Sequence, residues 1–280
     1  MAKEVVAVLG GRGMLGTDVA KLYDRQGFAV RVFDLPEFDI TDPRQLKGVV
    51  DLADAVINCA AYTNVDGAEG EAGVAYEVNA AAVGRLGELA GAAGKWVLHV
   101  STDFVFDGQS QEPYRETDTP NPINEYGRTK LAGERLLMES GCRSCIVRVE
   151  WTYGLAGNNF PAKLLERTKS GGQVKVVDDQ FGSPTATAEA AKAMCALLRQ
   201  KPEGIFHFAS EGYASRYEVA KFIFDRLGVD IKLLPCKTSD FVSPARRPLN
   251  SRFDCSKIKN LLDEPIRPWQ VPLEEFLRQL

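Results

Sequence analysis

Histidine is nearly absent: His99 and His207 are the only two in 280 residues. Each sits inside an apolar run, WVLHVS and GIFHFAS, that reads as a buried strand, so both are expected as core or strand-end histidines. The scarcity argues against a multi-histidine metal site and a histidine-based triad, and no metal is expected. Positive charge is also in short supply. Lys and Arg total 34 against 38 Asp and Glu, a net charge of −4 with no basic tail or stripe, so nucleic acid is not an expected partner. No apolar run approaches the roughly 18 residues a membrane-spanning helix needs. Met1-Ala2-Lys3-Glu4 leads straight into a strand-like run, so the expectation is a cytoplasmic protein with no membrane partner. The six cysteines are scattered, as suits free thiols in a reducing compartment. Only Cys142 and Cys145 have redox spacing, and they precede a buried-strand pattern, which favours a structural pair of thiols.

What is present is an apolar content of 45% with 26% charged residues, enough to bury a full core in one large α/β domain or two smaller ones. Short apolar runs (EVVAVLG, AVRVFD, DAVINCAA, WVLHVS, CIVRVEW) alternate with helical stretches at about Met14 to Gln26, Glu71 to Ala92 and Tyr126 to Glu139. That alternation predicts a doubly wound parallel sheet of Rossmann type, with strands buried on both faces. Asp107 to Asn124, with Gly108, Pro113, Pro120 and Pro122, reads as a long ordered loop after a strand end. Beyond Trp151 the pattern becomes irregular, with helices expected at about Asn159 to Lys169, Ala188 to Gln200, Arg216 to Leu227 and Leu273 to Gln279 around the short strands VKVV, GIFHFA and IKLL. The organisation expected is a dinucleotide-binding domain over 1–148, to which 185–210 returns, and a smaller substrate-binding lobe from 149–184 and 211–280.

The first strand ends at Leu9 and is followed by Gly10-Gly11-Arg12-Gly13-Met14-Leu15-Gly16, which opens a helix. Strand, glycine turn and helix N-terminus together present backbone N–H groups to a pyrophosphate. Two registers fit, Gly11-x-Gly13-x-x-Gly16 and the wider Gly10-x-x-Gly13-x-x-Gly16. Asp34 follows the second strand 18 residues after Gly16, near the distance of about 20 at which an acidic residue meets the adenosine ribose hydroxyls. Asp34 favours NADH, whereas Arg12 inside the loop can approach the 2′-phosphate of NADPH, so both cofactors stay open. Asp39-Ile40-Thr41-Asp42 reads either as turn and helix cap or as a border of the adenine site.

With histidine set aside, proton transfer needs another group. Tyr126-Gly127-Arg128-Thr129-Lys130 begins a helix, and the i, i+4 spacing puts phenol and ammonium on one face. A nearby ammonium lowers a phenol's pKa from about 10, which is the tuning expected here for a general acid. Ser101 or Thr102, at a strand end, offers a hydroxyl able to orient a substrate carbonyl.

These motifs, with STDFVFDG, DQFGSPT and RRPLNS, resemble the dTDP-4-dehydrorhamnose reductase family of the extended short-chain dehydrogenases/reductases, over nearly the whole chain. The resemblance implies NADPH- or NADH-dependent reduction of the C4 keto group of dTDP-4-dehydro-L-rhamnose to dTDP-L-rhamnose, for cell-envelope polysaccharide. It implies a catalytic trio of Thr102, Tyr126 and Lys130, with Tyr126 and Lys130 also binding the cofactor and Lys130 holding its nicotinamide ribose. It places Asn58, Ala60, Ala61, Tyr62 and Asn79 along the cofactor, and Thr63, Val65, Asp66, Asp103, Phe104 and Trp151 around the sugar. It puts Arg247 and Asn250 on the nucleotide side, with Arg247 near the diphosphate. Some members of the family form dimers, so a monomer or a homodimer is expected. Two positions depart from the family pattern: Phe104 where Tyr is usual, and Glu150 where a small residue precedes the tryptophan. The competing readings are another nucleotide-sugar reductase or epimerase of the same superfamily, or a noncatalytic dinucleotide-binding regulatory subunit.

Overall fold

The computed structural model describes residues 3–169 and 171–280; Met1 and Ala2, at the start of the first expected domain, lie outside them. The first half runs β1 (Val5–Leu9), α1 (Met14–Arg25), β2 (Ala29–Phe33), α2 (Pro43–Leu52), β3 (Ala55–Asn58), α3 (Val65–Ala68), α4 (Ala72–Tyr76), α5 (Ala82–Ala92), β4 (Trp96–Thr102), α6 (Glu125–Glu139) and β5 (Ser144–Val149). The second half runs β6 (Thr152–Tyr153), α7 (Phe160–Thr168), β7 (Gln173–Val177), β8 (Phe181–Gly182), β9 (Thr185–Ala186), α8 (Thr187–Gln200), β10 (Gly204–Phe208), β11 (Ala214–Ser215), α9 (Arg216–Leu227), β12 (Lys232–Cys236), α10 (Ser256–Lys259) and α11 (Gln270–Leu277).

Six strands form one sheet in the order β10-β5-β4-β3-β1-β2, with every pairing parallel. β1 lies between β2 and β3, so the winding direction reverses there, and the crevice at the carboxyl ends of β1 and β3 is where such sheets bind ligands. Central strands β1, β3 and β5 are buried almost throughout because helices cover both faces. The edge strand β2 departs from that expectation: Arg31 and Val32 are exposed. α1 and α8 pack on one face against Val6, Val8 and Leu98, while α2 and α5 pack on the other against Ala7, Leu9 and Val97.

The expected single helix over 71–92 is continuous but contains a π-helical turn at Glu77–Ala81. A wider turn of this kind re-aims the residues within it. Here it directs Asn79 inward, to the backbone of Tyr62 and the hydroxyl of Thr129. Local chemistry explains other helix starts. Asp42 caps α2 ahead of Pro43, Asn124 caps α6, and Ser215 with Glu218 forms a capping box on α9.

A separate core, with Tyr153, Val174, Ile223, Trp269 and Phe276 among its members, sits beneath β7 and β12 and the helices α7, α9 and α11. The chain passes between the main sheet and this second core at residues 149–152, 183–186 and 208–211, and it returns once more after β12, with Phe253, Cys255 and Ile258 in the main core and α10 against β10, before Trp269 and α11 rejoin the second core. The passages are bonded to one another: the Ser183 amide donates to Glu150, the Ser183 hydroxyl to the Ser210 carbonyl, and the Thr185 amide to the Trp151 carbonyl. Cys142 and Cys145 are both buried free thiols, pushed up by burial to about 11 and about 12. Among the described residues no helix is long and apolar enough to cross a membrane.

Candidate functional site

A cleft of about 1640 Å³ runs from the carboxyl edge of the main sheet to the second core. Single ligand pockets commonly span roughly 300–1,000 Å³, so this one has room for two large molecules side by side.

The glycine loop forms one end. Gly10 has φ +67°, and a Cβ there would lie 2.6 Å from the Ala60 amide nitrogen; at Gly16 it would lie 2.2 Å from the Gly10 carbonyl oxygen. Both close approaches are to backbone that cannot yield. At Gly11 the tightest contact is a Val32 side chain, and Gly11 does not line the cleft. The steric demand therefore falls on the wider register, Gly10-x-x-Gly13-x-x-Gly16. α1 begins at Met14 with no side-chain cap on Gly13, leaving its first N–H groups for an anion. A pyrophosphate fits this cradle, with Arg12, Met14 and Leu15 also in its wall.

Asp34 accepts from the backbone of Arg12 at 2.7 Å and of Leu35 at 2.9 Å, while the Arg12 guanidinium pairs with Glu37 at 2.6 Å. Both Asp34 and Arg12 face the cleft. The Asp39 carboxylate holds Thr41 in the turn, and Asp39 and Ile40 also line the cleft. Ala60, Ala61, Thr63 and Val65 line it too.

Besides Gly11, five residues expected to touch ligand stand behind or outside the wall. Asn58 is fully buried and accepts from the Ala60 amide at 3.0 Å. Asn79 brackets Tyr62, and the Tyr62 phenol turns out to Glu71 at 2.6 Å. These three shape the loop over 60–63 rather than line the cleft. Asp66 is engaged by Arg247 through two bonds of 2.9 and 2.7 Å, and by Ser243 and the Ala245 amide. Arg247 holds that carboxyl far below the ordinary carboxylate range. Arg247 itself lines the cleft, but part of its donor set is committed to this pair. Asn250 is also outside the wall: it donates to the Ser110 and Glu112 carbonyls and accepts from Arg252, tying the long loop to the C-terminal segment.

Thr102, Asp103, Phe104, Tyr126, Lys130 and Trp151 all line this cleft. Thr102 donates to Asp103 at 3.0 Å and accepts from the Phe104 amide. The Phe104 and Tyr126 rings meet edge to face at 5.5 Å. Contrary to the expected lowering, burial pushes the Tyr126 phenol up to about 12, with the Asp103 charge adding to burial and Thr102 opposing it. Lys130 is turned inward, donating to the Val100 carbonyl at 2.7 Å beside His99. Its burial pulls it down to about 8, against the pull of Glu134 and Cys59. Burial likewise raises Asp103, despite its bonds from Ser251 and Thr102.

Arg216 is the main group the sequence reading missed. It opens α9, and its guanidinium lies 3.5 Å from the centroid of the Trp151 ring and 5.0 Å from that of Phe160. Burial draws it down to about 10, opposed by Asp103 and Glu150, so it stays cationic at neutral pH. Its amide donates to the Gln180 carbonyl, but its guanidinium forms no hydrogen bond among the described residues, so the side-chain donors are free for a ligand in the cleft it lines. Trp151 is held at φ 45°, a conformation a bulky residue adopts only under constraint from its surroundings. The capping box at Ser215-Arg216-Tyr217-Glu218 marks the helix start and was legible; that its second residue meets Trp151 was not. Lys163, Lys175 and Arg246 also line the cleft, giving an acidic protein a locally cationic wall.

Comparison with known proteins identifies the family. The chain is 36% identical to a dTDP-4-dehydrorhamnose reductase of Mycobacterium tuberculosis, over 98% of this chain and 92% of that protein. It is 38% identical to a dTDP-4-dehydrorhamnose reductase of Streptomyces griseus, over 96% and 91%. The crystal structure of dTDP-4-dehydrorhamnose reductase from Bacillus anthracis in complex with NADP superposes with a TM-score of 0.95 at 33% identity, over 100% of both chains. The family model described as RmlD substrate binding domain matches residues 4–280, and with relatives this similar over nearly the full length, the chain belongs to the dTDP-4-dehydrorhamnose reductase family.

Proposed function

We propose that this protein is a dTDP-4-dehydrorhamnose reductase, which uses NADPH or NADH to reduce the C4 keto group of dTDP-4-dehydro-L-rhamnose to dTDP-L-rhamnose in the cytoplasm, as a monomer or homodimer. The observation that carries the reading is that Thr102, Tyr126 and Lys130 line the same cleft as the glycine cradle and the Trp151–Arg216 stack. In this reading 1–148 with 185–210 holds the dinucleotide, and 149–184 with 211–280 holds the nucleotide sugar.

A bound reduced nicotinamide dinucleotide supplies the hydride for the C4 carbonyl carbon. Gly10, Gly13 and Gly16 with the first turn of α1 hold its pyrophosphate. Asp34 meets the adenosine ribose, and Arg12 is the group a 2′-phosphate would draw away from Glu37. Thr102 orients the C4 carbonyl. Tyr126 donates the proton to the C4 oxygen as that oxygen gains charge. A phenol raised by burial remains protonated at neutral pH, as a donor must, and the alkoxide it serves is the stronger base. Lys130 is turned to Val100 and His99 in this structure, and as an ammonium it would stabilise the phenolate left on Tyr126 once swung toward it.

The direct test supplies dTDP-4-dehydro-L-rhamnose and follows the absorbance of NADPH and NADH in separate reactions. Oxidation of one or both with formation of dTDP-L-rhamnose is expected. A folded protein that binds dinucleotide but oxidises neither would instead support the regulatory-subunit reading.

Arg216 is assigned to the anionic part of the nucleotide sugar, since its donors have no other acceptor and Trp151 fixes its plane. Charge-assisted hydrogen bonds contribute about 1.5–3 kcal/mol, so Arg216→Leu should raise KM for the nucleotide sugar by roughly 10- to 100-fold. KM for the dinucleotide should not move. Steady-state kinetics with each substrate varied in turn checks this, and an unchanged nucleotide-sugar KM removes the assignment.

A further inference from the structure

His99 is fully buried on β4, and the mechanism above gives it no task. Its contacts determine which ring nitrogen carries the proton. The Asn58 side-chain oxygen accepts from the Ala60 amide at 3.0 Å, which only an oxygen can do, so the orientation of the Asn58 amide is fixed. Its Nδ2 hydrogens then point at His99 Nδ1, 3.1 Å away. Nδ1 is therefore the acceptor, and a neutral imidazole carries its hydrogen on Nε2. Burial, followed by the nearby Lys130 charge, keeps that imidazole neutral, well below its ordinary value. Nε2 faces Lys130 Nζ at 3.3 Å, while Nζ donates to the Val100 carbonyl at 2.7 Å. An ammonium has three donors and no acceptor, so an N–H aimed at it makes no bond; the lone pair of the free amine accepts one.

We propose that His99 is a positioning residue acting through Lys130: with its tautomer set by Asn58, it donates Nε2–H to the free amine and so opposes charging of the lysine. In that state the chain Ala60, Asn58, His99, Lys130, Val100 runs donor to acceptor without a break. The other groups around Nζ are accounted for. Glu134, one turn along α6, favours the ammonium but is committed to Arg148 and Ser101. The Cys59 thiol beyond β3 is held protonated by burial, up to about 12. Tyr126, one turn earlier on α6, is a neutral phenol. Burial, outweighing the opposing pull of Glu134 and Cys59, brings Lys130 down to about 8, and the His99 donor acts in the same direction as burial. Placed there, the lysine gains or loses its proton close to working pH.

The test uses the full-length protein with ¹⁵N-labelled histidine and ¹³Cε-labelled lysine, the Lys130 signal being assigned with Lys130→Arg. With two histidines in the chain the imidazole spectrum is simple. His99 should show an unprotonated Nδ1 and a protonated Nε2 that do not titrate around neutrality. The Lys130 signal should titrate near pH 8 and move up by about one pH unit in His99→Gln, roughly the worth of one hydrogen bond. Asn58→Asp, which accepts from Nδ1–H and inverts the tautomer, should also raise the midpoint, and most of that rise should vanish in the His99→Gln background. An Nδ1–H tautomer in the wild type overturns the proposal, even where a variant does not fold. So does a folded His99→Gln with an unchanged lysine midpoint, the outcome of a purely structural role. A further arm rests on the reductase reading: the alkaline limb of the kcat/KM pH profile should move with the lysine midpoint. Because the spectra need no turnover, failure of that reading and failure of this proposal are distinguishable.

Discussion

Tyr126→Phe should lower kcat by roughly 10²–10⁴-fold, the usual contribution of a positioned general acid, and leave dinucleotide affinity unchanged. The ring stays in its edge-to-face contact with Phe104, 5.5 Å between centroids, so packing survives while the proton is removed. A reduced dinucleotide fluoresces, and its titration measures binding separately from turnover. Wild-type turnover in Tyr126→Phe would remove Tyr126 from the mechanism. Thr102→Val is a useful companion: it keeps the shape but removes the bond to Asp103. A loss smaller than that of Tyr126→Phe would agree with a role in orientation rather than proton transfer.

The largest effect on stability should come from Glu134→Ala. Glu134 and Arg148 are almost completely buried and form a two-bond pair at 2.9 and 2.6 Å, to which Ser101 adds a third bond. Arg148 also reaches His207 at 3.3 Å and lies over Phe106. Removing one partner strands a charge in the core, which costs about 3–5 kcal/mol. The pair's own net contribution is much smaller, because both charges left water to form it. The double variant Glu134→Leu/Arg148→Met should therefore recover most of the loss. Urea unfolding of both measures the difference, and equal losses would show that the cavity, not the stranded charge, sets the cost.

The parts legible in sequence were those written in local spacing. The glycine loop occupies seven consecutive residues, and the phenol and lysine share one helix face, so reading them required no knowledge of the fold. The sheet was legible because apolar strands alternate with helices of the right length. What was not legible depends on contacts distant in sequence. Asp66 and Arg247 stand 181 residues apart, and nothing near either predicts that each is the other's partner. Asn250 looked like a free polar group in a family segment, yet its carbonyl partners lie some 140 residues earlier. The direction of the Tyr126 shift was missed for an energetic reason: the lysine expected to lower it is turned to Val100 and His99, leaving burial as the larger influence. His99 was placed correctly in a buried strand, but sequence could not show which side chains would meet its ring.

The passages of chain at 149–152, 183–186 and 208–211 bear on how this molecule can be divided. β10, which completes the edge of the main sheet beside β5, arrives only after the chain has already entered the second core and come back. A fragment ending near residue 150 therefore lacks its sixth strand and the α8 cover of α1, and leaves β5 with an open edge suited to pairing with other chains. No single cut yields two self-sufficient halves. Grafting a different sugar-recognition unit onto this scaffold means replacing three separate segments at once, because Phe253, Cys255 and Ile258 return to the main core before α11 rejoins the second, with splice points that keep the Glu150, Ser183 and Ser210 bonds between the crossings.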